Sequence, residues 1–326
     1  MRYALGIDLG GTKILAGVID LERGKVVSSA KRKSQADQGP DELTARLLEA
    51  AGEAIEGAGG VKPGAIGVGA PGQIDTAKGI LLSGPNLGQR MDNLPLRQIL
   101  RKRFDLPVLL ANDVEIGAAG EGAFGAGKGY KDFICVFVGT GIGGAIIRDG
   151  APYRGATNTA GEIGHIVVDV GGRLCGCGGQ GHLEAYASRS AIVRAILNAL
   201  RAGRPSVLGK EIREGGPALP EGTAFRSKVI ARAVAEGDAL AVEMIEDASR
   251  YLSAGLASVV NFYNPPRIIL GGGVIEAVDL YFEGVARRVA DQSLQATRGG
   301  VEIVRTGLGD NAGIVGAAVL AAQGAR

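Results

Sequence analysis

The chain has 326 residues, 46% of them hydrophobic and 21% charged, with a net charge of +2. That length holds two domains, each with its own core, and the composition excludes a disordered chain. The near-balanced charge gives no footing for nucleic acid or an anionic membrane surface, and three cysteines do not make a disulfide framework.

Tyr3–Asp8 (YALGID) reads as a strand, followed by a turn at Leu9-Gly10-Gly11-Thr12 and a second strand over Lys13–Asp20. A third strand is expected near Val26–Ala30. Asp41–Gly57 has helical spacing, with Leu43, Leu47, Leu48, Ala51 and Ile55 on one face. Ala65–Gly69 is a short buried strand closed by Pro71-Gly72. Pro95–Phe104 reads as a helix, and Pro107–Ala111 as a buried strand ending at Asn112-Asp113. The opening pattern then returns: strand Phe133–Val138, glycine turn Gly139–Gly144 (GTGIGG), strand Ala145–Arg148 and turn Asp149-Gly150. Strand, glycine loop, strand and turn therefore occur twice, as an internal duplication opening each of two α/β domains. Helices are expected over Leu183–Ala202, Ser227–Ala235 and Ala239–Asn261, the last stopped by Asn264-Pro265-Pro266. Arg267–Leu270 is a strand running into Gly271-Gly272-Gly273. Asp279–Gln292 reads as a helix, Val301–Arg305 as a strand and Ala312–Gln323 as a final helix, while Arg204–Phe225 reads as a loop.

No apolar run reaches membrane-spanning length, and MRYALGIDLGGTK has no apolar core followed by a cleavage site. A cytoplasmic setting with no membrane partner is expected.

Three glycine loops each follow a strand. Exposed amides in such turns form a concavity for anions, and the missing Cβ lets phosphate oxygens approach. Gly139-x-Gly141-x-x-Gly144 matches the dinucleotide fingerprint in letters, but an apolar strand follows where that fingerprint requires a helix. The Walker pattern is absent. The expectation is phosphate held in β-hairpin turns, with Asp8 beside the first turn suited to Mg²⁺ bridged through water. Asp113 closes a buried strand, where α/β proteins place ligands. It suits a general base that accepts a hydroxyl proton during phosphoryl transfer, or a helix N-cap for Val114–Gly122. Asn112, Glu162 and Glu184 are polar partners of the kind a sugar needs.

Both histidines and two of the three cysteines fall between Gly161 and Glu184: His165, Cys175, Cys177 and His182. Cys₂His₂ is one of the standard structural zinc sets, although C-x-C is tighter than a zinc finger's usual spacing. Four protein ligands leave no position for a reactive water, so the expected role is structural. His165 can bind zinc through one ring nitrogen and offer the other to a sugar hydroxyl.

Taken together, DLGGTK at Asp8–Lys13, Pro71-Gly72, Pro85-Asn86-Leu87, Asn112-Asp113, GTGIGG, GEIGH at Gly161–His165, CGCGGQGHLE at Cys175–Glu184 and Gly271–Gly273 resemble the ROK family of sugar kinases and sugar-responsive repressors. The resemblance covers nearly the whole chain. It implies the actin-like/hexokinase-like ATPase fold, two α/β domains with a cleft between them. The division expected is 1–112 plus a C-terminal helix at about 312–326, and 113–311 carrying the zinc and sugar-binding residues. It implies Asp113 as catalytic base, and sugar bound by Asn112, Glu162, His165 and Glu184, with Gly72 and Asn86 nearby. ATP phosphates would lie on Asp8, Gly10, Gly11, Thr12 and Lys13 and on Gly139, Thr140 and Gly141, with Gly271 and Gly272 beside the adenosine. ATP, Mg²⁺ and structural Zn²⁺ follow as cofactors, a hexose as substrate, and a homodimer or homotetramer as assembly.

The sequence departs from the family pattern at His182, where the common zinc set has a cysteine, at Glu115, where an asparagine is frequent, and at Ala145, where a further glycine is usual. The expected activity is an ATP-dependent hexose kinase acting on glucose. Another hexose or an N-acetylhexosamine (N-acetylmannosamine, N-acetylglucosamine, fructose or allose) is the alternative within the same chemistry. A non-catalytic sugar sensor or repressor is the alternative outside it. The chain begins at the first glycine hairpin without a helix-turn-helix segment, which argues against DNA binding.

Overall fold

The computed structural model describes residues 1–84, 87, 91–211 and 225–324. Asn86 and most of the expected loop over 204–225 lie outside the described residues. In chain order the elements begin with β1 (Tyr3–Leu9), β2 (Lys13–Asp20), β3 (Lys25–Lys33), α1 (Pro40–Glu56) and β4 (Ile66–Ala70). They continue with β5 (Gln73–Asp75), β6 (Ile80–Ser83), α2 (Leu96–Phe104), β7 (Val108–Asn112) and α3 (Asp113–Phe124). Then come β8 (Phe133–Val138), β9 (Ile142–Arg148), β10 (Ala151–Pro152), α4 (Glu184–Ala187), α5 (Arg189–Arg201), α6 (Ser227–Ala235) and α7 (Ala239–Tyr263). The last are β11 (Arg267–Gly271), α8 (Gly273–Ala277), α9 (Asp279–Gln292), α10 (Gln295–Arg298), β12 (Glu302–Arg305) and α11 (Ala312–Gly324).

The chain divides into two units. The first comprises 1–131, 147–152 and 306–326, the second 132–146 and 153–305. The boundary read from the sequence at 112 is thus corrected: α3 belongs with the first unit, because it packs on α11 against that unit's sheet. The return into the first unit comes at Thr306, ahead of the final helix.

Two five-stranded sheets carry the fold, ordered β3-β2-β1-β4-β7 and β10-β9-β8-β11-β12. In the first, β1 pairs antiparallel with β2 and parallel with β4, which pairs parallel with β7. In the second, β8 pairs parallel with β11, and β11 with β12. The two strand orders are the same plan, so the duplication reaches past the hairpins to whole sheets.

In the first unit, strand alternation sorts the two faces. Leu5, Ile7 and Leu9 join Leu43, Leu47, Ile66 and Leu110 in one core under α1. Ala4 meets Ile314, Val315 and Ala318 of α11 on the other face. The period of two puts Gly6 and Asp8 on that second face as well. A Cβ on Gly6 would lie 1.7 Å from the Ile314 carbonyl oxygen, and one on Gly67 1.9 Å from that of Ala317. Only glycine lets α11 lie this close to β1 and β4. The second unit builds its core from Ile134, Val136 and Val138 of β8, Leu252 and Leu256 of α7, and the buried Tyr281, whose hydroxyl donates to the Ala187 carbonyl at 2.5 Å.

The single helix expected over Leu183–Ala202 is two. Ser188 is extended (φ −71°, ψ 162°), and its hydroxyl accepts from the Ala191 amide, capping α5. α7 is capped by Asp238, which accepts from Ala241 N–H at 2.9 Å and also holds Val207 N–H at 2.8 Å. Asn264 in the left-handed conformation ends α7 two residues later than the sequence pattern suggested. No described helix is long and apolar enough to cross a membrane.

Candidate functional site

The first glycine loop is a tight hairpin turn in which Gly10 N–H donates to the Lys13 carbonyl at 2.9 Å. Asp8 lies just before it on the α11 side, and a Cβ on Gly313 would come 3.0 Å from its carboxyl carbon. Burial pushes the Asp8 carboxyl above the usual carboxylate range, with Lys13 opposing the shift and Asp310 adding to it. The Lys13 ammonium sits 3.9 Å from Asp310 Oδ1. Two carboxylates and one ammonium therefore gather at this turn, a group suited to a divalent cation and phosphate oxygens together.

β7 runs directly into α3 at Asn112-Asp113. Asn112 is extended (φ −67°, ψ 149°), and its Oδ1 accepts from Val114 N–H at 2.9 Å. Asp113 Oδ1 accepts from the same amide at 2.9 Å. The cap position anticipated for Asp113 thus belongs to Asn112, and Asp113 is the first helical residue. There the helix dipole favours a negative charge. Asn112 Nδ2 donates to the Gly72 carbonyl at 3.4 Å, which ties this corner to the turn after β4.

In the second unit, the GEIGH turn is pressed onto the second glycine hairpin. A Cβ on Gly144 would lie 2.4 Å from the Gly161 carbonyl oxygen, and one on Gly164 2.1 Å from that of Ile142. This close approach brings the Gly161–His165 turn against Ile142 and Gly144, with Glu184 against Gly141. Glu184, at the start of α4, completes the group. Its Oε2 accepts from Ile142 N–H at 2.8 Å, and its Oε1 lies 3.6 Å from Cys175 Sγ. Glu162 Oε2 is 3.8 Å from His165 Nε2.

His165 turns its other nitrogen inward. Its Nδ1 lies 3.3 Å from His182 Nδ1 and 3.9 Å from Cys175 Sγ, and Cys177 Sγ is 3.1 Å from His182 Nδ1. All four donor atoms lie within 4.8 Å of one another. Ligands about 2.0–2.3 Å from a tetrahedral zinc stand roughly 3.3–3.8 Å apart, so the donor set fits that ion. The loop is also held by Cys175 N–H to the Gly179 carbonyl at 2.8 Å, and by the Tyr186 hydroxyl, which accepts from Arg173 N–H at 2.6 Å and donates to Asp169 at 2.8 Å. Burial pushes the Cys175 thiol up to about 11. A bound cation would reverse that by stabilising the thiolate.

Gly271 ends β11, Gly272 takes φ +93° as the residue before α8, and Gly273 opens that helix. The third glycine stretch is thus a strand end and a short helix start. A Cβ on Gly272 would meet the Val138 carbonyl oxygen at 2.4 Å, which places this corner beside the end of β8.

A family model described as ROK family matches residues 4–324. The chain belongs to the ROK family. Among its relatives is the glucokinase of Streptomyces coelicolor, 35% identical over 326 residues that cover 99% of this chain and 98% of the relative. The structure of a ROK family glucokinase from Streptomyces griseus in complex with glucose and AMPPNP matches with a TM-score of 0.83 at 34% identity, over 98% of this chain and 99% of that one. The ROK hexokinase of Thermus thermophilus matches with a TM-score of 0.80 at 33% identity, over 99% of both chains. The fold is accordingly the actin-like ATPase fold of ROK hexokinases.

Two polar residues of this ROK chain escaped the sequence reading. Asp310 lies in the turn Gly309–Asn311 that leads into α11. Its signal was an acidic residue just ahead of an Ala- and Gly-rich helix, far from DLGGTK in the chain. Arg189 is the first residue of α5. Its guanidinium donates to Thr140 Oγ1 at 2.9 Å, and its amide to the Gly139 carbonyl at 3.0 Å. Nothing in the local sequence joins it to a loop 49 residues away.

Proposed function

We propose that this ROK protein is an ATP-dependent glucose kinase that transfers the γ-phosphoryl group to the terminal hydroxyl of glucose, giving glucose 6-phosphate. The observation that carries the reading is full-length similarity to glucokinases, together with the polar residues at the ends of β1, β7 and β8. Asp113 accepts the hydroxyl proton as the phosphoryl group moves in line, and Asn112 holds the corner that aims it. Glu162, His165 Nε2 and Glu184 bind sugar hydroxyls, with Gly72 and Asn86 as further contacts. The turns at Gly10–Lys13 and Gly139–Gly141 bind the phosphates, and Gly271-Gly272 lies by the adenosine. Mg²⁺ would neutralise the phosphate oxygens that leave and transfer, and Asp8 would hold it through water.

Zinc would be held by His165, Cys175, Cys177 and His182. Its place is structural: fixing His165 through Nδ1 leaves Nε2 as the nitrogen that meets substrate. Cys175 sits between this site and Glu184, so loosening the knuckle disturbs two sugar contacts at once. We also assign a cytoplasmic homo-oligomer, a dimer or tetramer, with no nucleic-acid partner. Size-exclusion chromatography with light scattering and a low-salt DNA-binding titration test those assignments.

The deciding experiment is ADP release with Mg-ATP across glucose, mannose, fructose, allose, N-acetylglucosamine and N-acetylmannosamine. Turnover strongest on glucose is expected. Preference for an N-acetylhexosamine would replace glucose as the substrate, and absence of turnover on every sugar would refute the kinase reading.

A further inference from the structure

Arg189 carries three features that a purely structural arginine would avoid. It places a cation at the first position of α5, where the helix dipole is positive. Among the described residues its side chain makes one hydrogen bond, to Thr140, although a guanidinium has five donors. Its Nε is sealed from solvent with no acceptor among the described residues. A buried donor left unmade is an unfavourable state, and no carboxylate among the described residues forms an ion pair with this arginine. What it does touch is the tip of Gly139–Thr140–Gly141, through both its side chain and its amide.

We infer that Arg189 is a contact for the phosphoryl donor, its guanidinium turning from Thr140 to grip phosphate oxygens seated on the Gly139–Gly141 turn. The inference rests on the reading of that turn as a phosphate loop. A phosphate group gives the planar fork two acceptors at once, and meets the dipole with the right sign. The residue is then a determinant of donor affinity, blind to the sugar and to the adenine, so that its ligand chemistry is a polyphosphate chain of any origin.

The test compares the full-length wild type with Arg189→Ala, Arg189→Gln and Arg189→Lys. Steady-state kinetics give KM for Mg-ATP and for glucose, and calorimetry gives the affinity for inorganic tripolyphosphate alone. Arg189→Ala is expected to raise KM for ATP about 10- to 100-fold, the range for losing hydrogen bonds to a charged group, and to weaken tripolyphosphate by a similar factor. KM for glucose stays within about twofold. Lysine restores part of the loss, because an ammonium keeps the charge but not the fork. Arg189→Gln keeps the side-chain length and reports the same loss should the alanine variant fold poorly. An unaltered KM for ATP and unaltered tripolyphosphate affinity in a folded variant overturn the Arg189 assignment alone. A wild type that binds neither ATP nor tripolyphosphate overturns the phosphate-loop reading and Arg189 with it.

Discussion

The turn after β1 and the turn after β8 occupy the same place in sheets of the same strand order, yet their side chains differ. The first gathers Asp8, Asp310 and Lys13, with burial working against the charge on Asp8. The second has a guanidinium at its tip, and its Ile142 amide is already given to Glu184. On the proposed function both turns meet phosphate, the first with carboxylates for a cation beside it and the second with a guanidinium for the anion itself. Duplication supplies a repeated backbone, and substitution at a few positions around each turn then divides the labour that phosphoryl transfer requires.

The sharpest way to break this division is to remove Asp113, the proposed proton acceptor of the first unit. Asp113→Ala is expected to lower kcat by roughly 10²–10⁴-fold while KM for ATP and glucose changes little. Near-normal turnover in steady-state assays would leave the first unit without its chemistry. Next in size is Cys175→Ser, expected to release zinc and to destabilise the protein by about 3 kcal/mol or more, as loss of a structural metal does. Metal analysis and thermal melting read the two effects, and a zinc-free, stable parent protein would dispose of the knuckle's role.

Smaller again is Glu184→Gln. The amide can still accept from Ile142 N–H, so the loop keeps its shape while the charge toward substrate is lost. KM for glucose should rise about tenfold, the worth of one hydrogen bond to a charged group, with KM for ATP nearly constant. A larger rise for ATP would move Glu184 to the nucleotide side of the comparison.

The smallest effect has opposite signs in two assays. Burial raises the folded-state pKa of Asp8, so its carboxyl favours the fold only when protonated. That contribution is full below the unfolded value, about 3.9, and is lost as pH rises through the higher folded value. At neutral pH, Asp8→Asn should therefore melt above the parent while its turnover falls. The melting difference should close as the pH drops below about 4. A variant that melts lower at neutral pH would show that Asp8 is held by its neighbours and not strained by burial.

Much of this was legible in the sequence for one reason: rare residues or forced turns marked it. Histidine and cysteine are so scarce here that four of them in one window could be read as one cluster, and the structure brings those donor atoms together. Glycine turns between apolar runs announced both hairpins. The sheets beyond them were not announced, because parallel strands such as β4, β7, β11 and β12 are joined by long crossovers and leave no turn signal. Ser188 hid a helix break inside a periodic stretch, since only its extended backbone separates α4 from α5. The β5–β6 hairpin was missed for its brevity, three and four residues without a period to read. Asp310 and Arg189 were invisible because each earns its meaning from a partner far away in sequence.

The seating of α11 on β1 and β4 also sets an order of maturation. At ribosomal speeds, the roughly 300 residues between β1 and α11 take about 15–60 s to synthesise. For that interval the face of the first sheet carrying Ala4, Gly6 and Gly67 has been made but lacks α11, the helix seated on those residues. The second unit, whose last residue is Arg305, is complete before α11 exists. The half of the protein translated first is thus the half that finishes last, and a nascent chain stalled short of residue 312 has a finished second unit and a first sheet still lacking α11.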